Sequence, residues 1–129
     1  MFPRKKGVTY ARGKHVKGVM NELETAWSQE LQKQKDAGEI EWFSFEPWAI
    51  SLAPKTTLTP DFVVMTSDGL IKIQECKGHW EEDAWVKFKM GVAKLPVFQW
   101  EIITRPRKKE PFIVEPYPPL TKAEREAAA

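Results

Sequence analysis

Apolar and polar positions change period along this chain, and each change predicts an element. Val16, Val19, Met20, Leu23, Trp27 and Leu31 recur at three- and four-residue steps, the spacing of one helix face. The pattern predicts a helix over about 15–37, closed by Gly38. Residues 41–45 and 48–52 read as short strands separated by Pro47, and 53–59 as a polar loop around Pro54. Two further apolar runs, 62–65 and 70–73, flank the turn signal Ser67-Asp68-Gly69. Helical spacing returns over 80–95, with Ala84, Trp85, Phe88, Val92 and Leu95 on one side and Pro96 as a stop. Residues 97–104 read as a further strand, 112–114 as a short edge strand, 116–119 as extended or turn-like and 121–129 as a fraying helix.

The hairpin carries the candidate chemistry. A turn centred on Asp68 pairs Met65 with Ile71, Val63 with Ile73 and Asp61 with Glu75, and alternation puts these pairs on one face. Lys77 lies two residues beyond Glu75 and shares that face. An apolar ladder therefore ends in two carboxylates and an ammonium, which burial alone would not select. Adjacent carboxylates repel unless a proton or a cation neutralises them. A divalent metal suits that need, and Mg²⁺ prefers oxygen ligands in octahedral geometry. Asp61 and Glu75 supply side-chain oxygens, and the backbone carbonyl of Cys76 between Glu75 and Lys77 supplies a third. Lys77 is placed to hold a water or to stabilise charge growing on a phosphate. A metal with its waters beside a lysine suits phosphodiester hydrolysis through a metal-activated water.

Glu24 sits at the edge of the first helix's apolar stripe, where it can ligate a metal or orient the attacking water. Glu30 borders the same stripe as a rival, whereas Glu22 points to the opposite side, towards water. The competing structural readings are a salt bridge at a hairpin end for Asp61, Glu75 and Lys77, and a solvated helix flank for Glu24. Alternation turns the Cys76 side chain to the other face as an apolar filler. His15 and His79 have no Cys or His partner at zinc spacing.

Composition then sets the scale. The chain has 129 residues, 42% hydrophobic and 12% aromatic with six Trp, which suits one compact domain and argues against disorder. The divisions expected are a basic arm at 1–15, a folded domain at 16–115 and a Pro-rich, mobile tail at 116–129. No apolar run approaches the ~20 residues that span a bilayer. The basic N-terminus lacks the apolar core of a signal peptide, and the lone Cys76 forms no internal disulfide. A reducing, cytoplasmic setting fits. Net charge is only +2, but its distribution is uneven. Arg4, Lys5, Lys6, Arg12, Lys14 and Lys17 fall in a stretch without an acid, and Arg105, Arg107, Lys108 and Lys109 form a second cluster. Such clusters suit a polyanion such as DNA; solvated termini are the alternative.

Pro60-Asp61, followed by Glu75-Cys76-Lys77 and then a helix and a strand, resembles the PD-(D/E)XK nuclease superfamily. Glu24 resembles the helix-borne glutamate upstream in many members. The element order predicted from 16 to 104 is similar to the family's αβββαβ core. The likeness extends to small phage-encoded members, among them junction-resolving endonucleases and a group with a PDF … E-x-KG pattern. In that group a glutamate precedes a KxxGEI-like helix end, as Glu24 here precedes Lys35-Asp36-Ala37-Gly38-Glu39-Ile40.

The resemblance implies an α/β, restriction-endonuclease-like core with a mixed central sheet flanked by helices. It implies DNA cleavage dependent on Mg²⁺ or Mn²⁺, with Asp61 and Glu75 at the metal, Lys77 catalytic and Glu24 assisting. It further implies a branched, Holliday-junction-like substrate, a homodimer that cuts two opposed strands, and action in a phage host's cytoplasm. The alternatives are a nicking or end-processing nuclease on linear DNA, and a non-catalytic nucleic-acid-binding module.

Overall fold

The computed structural model describes residues 16–129. The expectations placed on Arg4, Lys5, Lys6, Arg12 and Lys14, and on the arm that carries them, lie outside the described residues. The first helix, α1, spans Glu22–Asp36. Its start is set by Asn21, whose side-chain oxygen accepts the Glu24 N–H while the Glu24 carboxylate accepts the Asn21 N–H, both at 2.8 Å. This reciprocal cap satisfies donors that a helix start leaves orphaned. The helix therefore begins later than its apolar stripe suggests. Gly18, in the left-handed region at φ +78°, interrupts the stripe, and Val16 and Val19 stand exposed rather than packed.

The order continues β1 (Ile40–Phe45), β2 (Ile50–Ala53), β3 (Thr56–Leu58), β4 (Phe62–Thr66), β5 (Ile71–Cys76), α2 (Glu82–Lys94), β6 (Gln99–Thr104), β7 (Ile113–Tyr117) and α3 (Lys122–Ala128). One five-stranded sheet has the order β1-β4-β5-β6-β7. The β4–β5 hairpin pairs Val63 with Ile73 and Met65 with Ile71, the register read from the turn. β5 and β6 are parallel, because α2 returns the chain to the same end of the sheet. The other pairings are antiparallel, so the sheet is mixed.

Two elements depart from the sequence pattern. The stretch expected as a polar loop contains β3, which turns back on β2 through Lys55 at φ +59°. The two form a separate ribbon. The edge strand is longer than its apolar triplet, running through Glu115 and Pro116 to Tyr117; proline is tolerated on a sheet edge because one side needs no donor.

Two cores sandwich the sheet. On the α1 face, Trp27 and Leu31 pack with Ile40, Phe62, Val64, Cys76 and Ile103. On the other, Phe88 and Val92 of α2 pack with Ile73 and Trp100 and with Ile50 and Leu58 of the ribbon. Gly91 permits this approach: a Cβ there would lie 2.6 Å from Leu58 Cδ2 and 2.9 Å from Trp100 Cη2. The protein is thus α/β, a mixed five-stranded sheet flanked by helices. No helix among the described residues is long and apolar enough to cross a membrane.

Candidate active site

The C-terminal end of α1 is tied to the hairpin turn. The Ser67 N–H donates to the Glu39 carbonyl at 3.2 Å, and the Ser67 hydroxyl donates to the Gly38 carbonyl. At 1.5 Å per residue α1 is about as long as β4 and its flanks. Its first turn therefore reaches the opposite end of the hairpin, where Pro60 leads into Asp61. There Asp61 and Glu75 meet. The Asp61 N–H donates to Glu75 Oε1 at 2.9 Å, and the Cys76 N–H donates to Asp61 Oδ2 at 2.8 Å. Each carboxylate holds the backbone of the other's strand where the ladder ends. Both are buried, as is Glu24.

Lys77 leaves β5 just beyond. Its N–H donates to the Ile103 carbonyl at 3.0 Å, and its ammonium lies 3.8 Å from Glu75 Oε2 and 5.6 Å from the centre of the Trp80 ring. The four residues singled out by pattern, Glu24, Asp61, Glu75 and Lys77, are near enough to perturb one another's charge. Burial, then the charges of Glu75 and Glu24, hold the Asp61 carboxyl well above the usual carboxylate range, against the opposing pull of Lys77 and the Cys76 N–H. Burial likewise raises Glu75 from 4.5 to about 7. Lys77 and the Asp61 N–H oppose that rise, while Glu24 and Glu46 reinforce it. The ammonium, 3.8 Å away and itself partly exposed, offsets only part of the effect of full burial. The Cys76 thiol is pushed far upward by burial and by the neighbouring acids, and its side chain packs in the α1 core. It is a filler and not a nucleophile.

Among the described residues three buried carboxylates face one ammonium, which leaves charge that a proton or a cation must balance. Among the described residues no group of three or more His, Cys, Asp or Glu side chains is placed to hold a metal ion. Glu24 spends Oε1 on the Asn21 N–H. Asp61 and Glu75 each keep a second oxygen beyond the backbone bonds above. The Cys76 N–H turns towards Asp61 rather than β6, and in an extended strand the carbonyl of the same residue shares that edge. Mg²⁺ commonly takes one or two carboxylates and completes its shell with water and phosphate oxygens. This donor set fits such an ion.

The basic residues are dispersed. Lys17 is exposed on the segment before α1, and Arg107, Lys108 and Lys109 are exposed on the loop after β6. Arg105 is half-buried, its Nε–H donating to the Glu110 carbonyl at 2.7 Å and its guanidinium 4.3 Å from the Phe112 ring centre. Lys108 pairs with Glu22.

Glu46 is a further acid that pattern did not single out. It lies one step beyond the Phe45–Phe62 pair, its N–H donates to the Asp61 carbonyl at 2.8 Å, and its Oε1 accepts the Gly18 N–H at 2.8 Å. Its φ of +49° and the following Pro47 mark a deliberate strand exit, a signal present in the sequence. Gln74 was also overlooked. It accepts from Trp27 Nε1 at 2.8 Å and donates to Glu101 Oε1 at 2.8 Å, joining α1 to two strands through the core. Comparison with known protein families, with curated proteins and with solved structures finds no match to this chain.

Proposed function

We propose that this protein is a metal-dependent endodeoxyribonuclease of the PD-(D/E)XK type, acting on branched DNA as a dimer that serves two opposed strands. One observation carries the reading. Asp61 and Glu75 converge, buried, with Glu75 accepting the Asp61 N–H and Asp61 accepting the Cys76 N–H, Lys77 beside them and Glu24 close enough to be felt. A purely structural ion pair would match one carboxylate to one cation. Here, among the described residues, the acids outnumber the cation in a dry site, which favours a divalent partner.

Asp61 and Glu75, with the Cys76 carbonyl, are the groups that would hold Mg²⁺ or Mn²⁺. Such an ion supplies positive charge against phosphoryl oxygens and eases proton loss from water. The Lys77 ammonium donates to a phosphoryl oxygen as negative charge grows there. Trp80 limits where that ammonium can swing. Glu24, braced by Asn21, orients the water that attacks phosphorus. The hairpin register fixes Asp61 and Glu75, and the Asn21 cap fixes Glu24, so little reorganisation accompanies the reaction.

The test is incubation with a synthetic four-way junction and with linear duplex, each with Mg²⁺ and with EDTA. Metal-dependent cutting of the junction in preference to duplex is expected. Absence of metal-dependent cutting on either substrate refutes the enzyme, and equal cutting of both refutes the branched-DNA preference.

A further inference from the structure

A cleft lies beside the acidic centre. Glu22, Leu23 and Ala26 from the first turns of α1, and Arg105, Lys108 and Lys109 from the loop after β6, enclose a cavity of about 390 Å³, in the size range of small-ligand pockets. Its wall is apolar where Leu23 and Ala26 line it, and its rim carries three cations and one acid. Arg105 is pre-set. Its Nε–H is spent on the Glu110 carbonyl and one face lies on Phe112, which itself packs edge-on against Trp27 at 5.0 Å between ring centres. A guanidinium fixed in this way keeps its two terminal nitrogens for a planar or tetrahedral anion. On the same rim Lys108 is paired with Glu22, with the two side chains 81% and 74% exposed. An ion pair so open to water is weak and easily exchanged.

The position of the cleft matters as much as its lining. Glu22 and Leu23 immediately precede Glu24 in α1, and Arg105 follows β6, whose Ile103 carbonyl accepts the Lys77 N–H. Cleft and acidic centre therefore lie at the same end of α1 and of β6, with Glu22 and Glu24 on opposite sides of one helical turn. A nucleic-acid strand that crosses the centre and continues past the start of α1 brings a neighbouring sugar-phosphate unit to the cleft.

We propose that this cleft is a backbone subsite for that strand, with phosphate on the Arg105–Lys108–Lys109 rim and sugar against Leu23 and Ala26. Glu22 is its displaceable stand-in, a carboxylate that occupies Lys108 until a phosphate replaces it. The proposal rests on the nucleic-acid reading above but needs no cleavage to be tested.

The experiment is a titration of the ¹⁵N-labelled protein with thymidine 3′,5′-bisphosphate in EDTA, followed by amide NMR. Saturable shifts centred on residues 22–26 and 105–112 are expected. Glu22→Gln should tighten binding by about two- to five-fold, the range set by loss of one exposed ion pair. Lys108→Gln should weaken it and make it less sensitive to added salt. Both variants break the same ion pair, so a merely structural pair would move both the same way. Glu39→Gln removes an exposed acid from the other end of α1 and should leave binding unchanged. Shifts centred elsewhere, no saturation, equal-signed effects of the two variants, or a Glu39→Gln effect as large as that of Glu22→Gln would each overturn the proposal. A protein that takes the bisphosphate here yet cuts no DNA refutes the nuclease and upholds the subsite. A protein that cuts DNA while these amides stay still does the reverse.

Discussion

Glu75→Gln should make the metal-free protein more stable at about pH 8. Folding moves the Glu75 carboxyl from 4.5 to about 7, chiefly by burial. A carboxyl with a raised folded pKa binds its proton more tightly in the native state. Its stabilising effect is complete below about 4.5 and is lost as pH rises through about 7. That displacement makes the ionised native state costlier by about 3 kcal/mol, with Lys77 already acting to reduce it. Asp61, also raised, adds to the loss in the same direction. Glutamine keeps an oxygen for the Asp61 N–H and carries no charge. Thermal unfolding in EDTA across about pH 5 to 8 should show the wild-type midpoint falling by on the order of 10 °C. The Glu75→Gln midpoint should fall less and exceed wild type at the alkaline end. A wild-type midpoint that stays level or rises over this range, or a variant less stable than wild type at the alkaline end, refutes the burial argument.

Lys77→Ala should bind a four-way junction as wild type does but cut it about 10²-fold more slowly or worse; wild-type cutting would remove Lys77 from the mechanism. Gly91→Ala should destabilise by about 1–3 kcal/mol in urea unfolding, because its methyl meets Leu58 and Trp100, and a neutral result would mean that the ribbon moves freely off α2. Gln74→Leu should cost about 1–3 kcal/mol by leaving the buried Trp27 N–H without its acceptor; an unchanged midpoint would show that another acceptor reaches the indole.

The central hairpin was legible because everything that fixes it is local. The Ser67-Asp68-Gly69 turn sets the register, and a period of two carries it to Asp61 and Glu75. Glu24 was legible because helical periodicity places it beside Met20 and Trp27. The start of α1 was misread for a physical reason. Val16 and Val19 continue the stripe, but the Asn21 cap ends the helix first, and its Asn-x-x-Glu signature was there to be read. β3 escaped notice because three residues, two of them threonine, offer no period to count. Glu46 reaches Asp61 only through the β1–β4 pairing. That pairing closes over the intervening ribbon, and no local turn sets its register. Charge clusters mislead in another way. The sequence cannot distinguish a bare lysine from Lys108, which is matched by a glutamate far away in the chain.

The two bonds by which Glu75 holds the Asp61 N–H and Asp61 holds the Cys76 N–H also bear on errors in folding. A hairpin slipped by one residue would lose both bonds and leave the two side chains on opposite faces. The two acids thus act as a proofreading catch on the centre of the sheet, and no misregistered chain can retain an intact site. Partial misfolding should then reduce the number of competent molecules and leave each competent molecule's turnover unchanged. Specific activity in a mixed preparation would report the fraction of chains in native register.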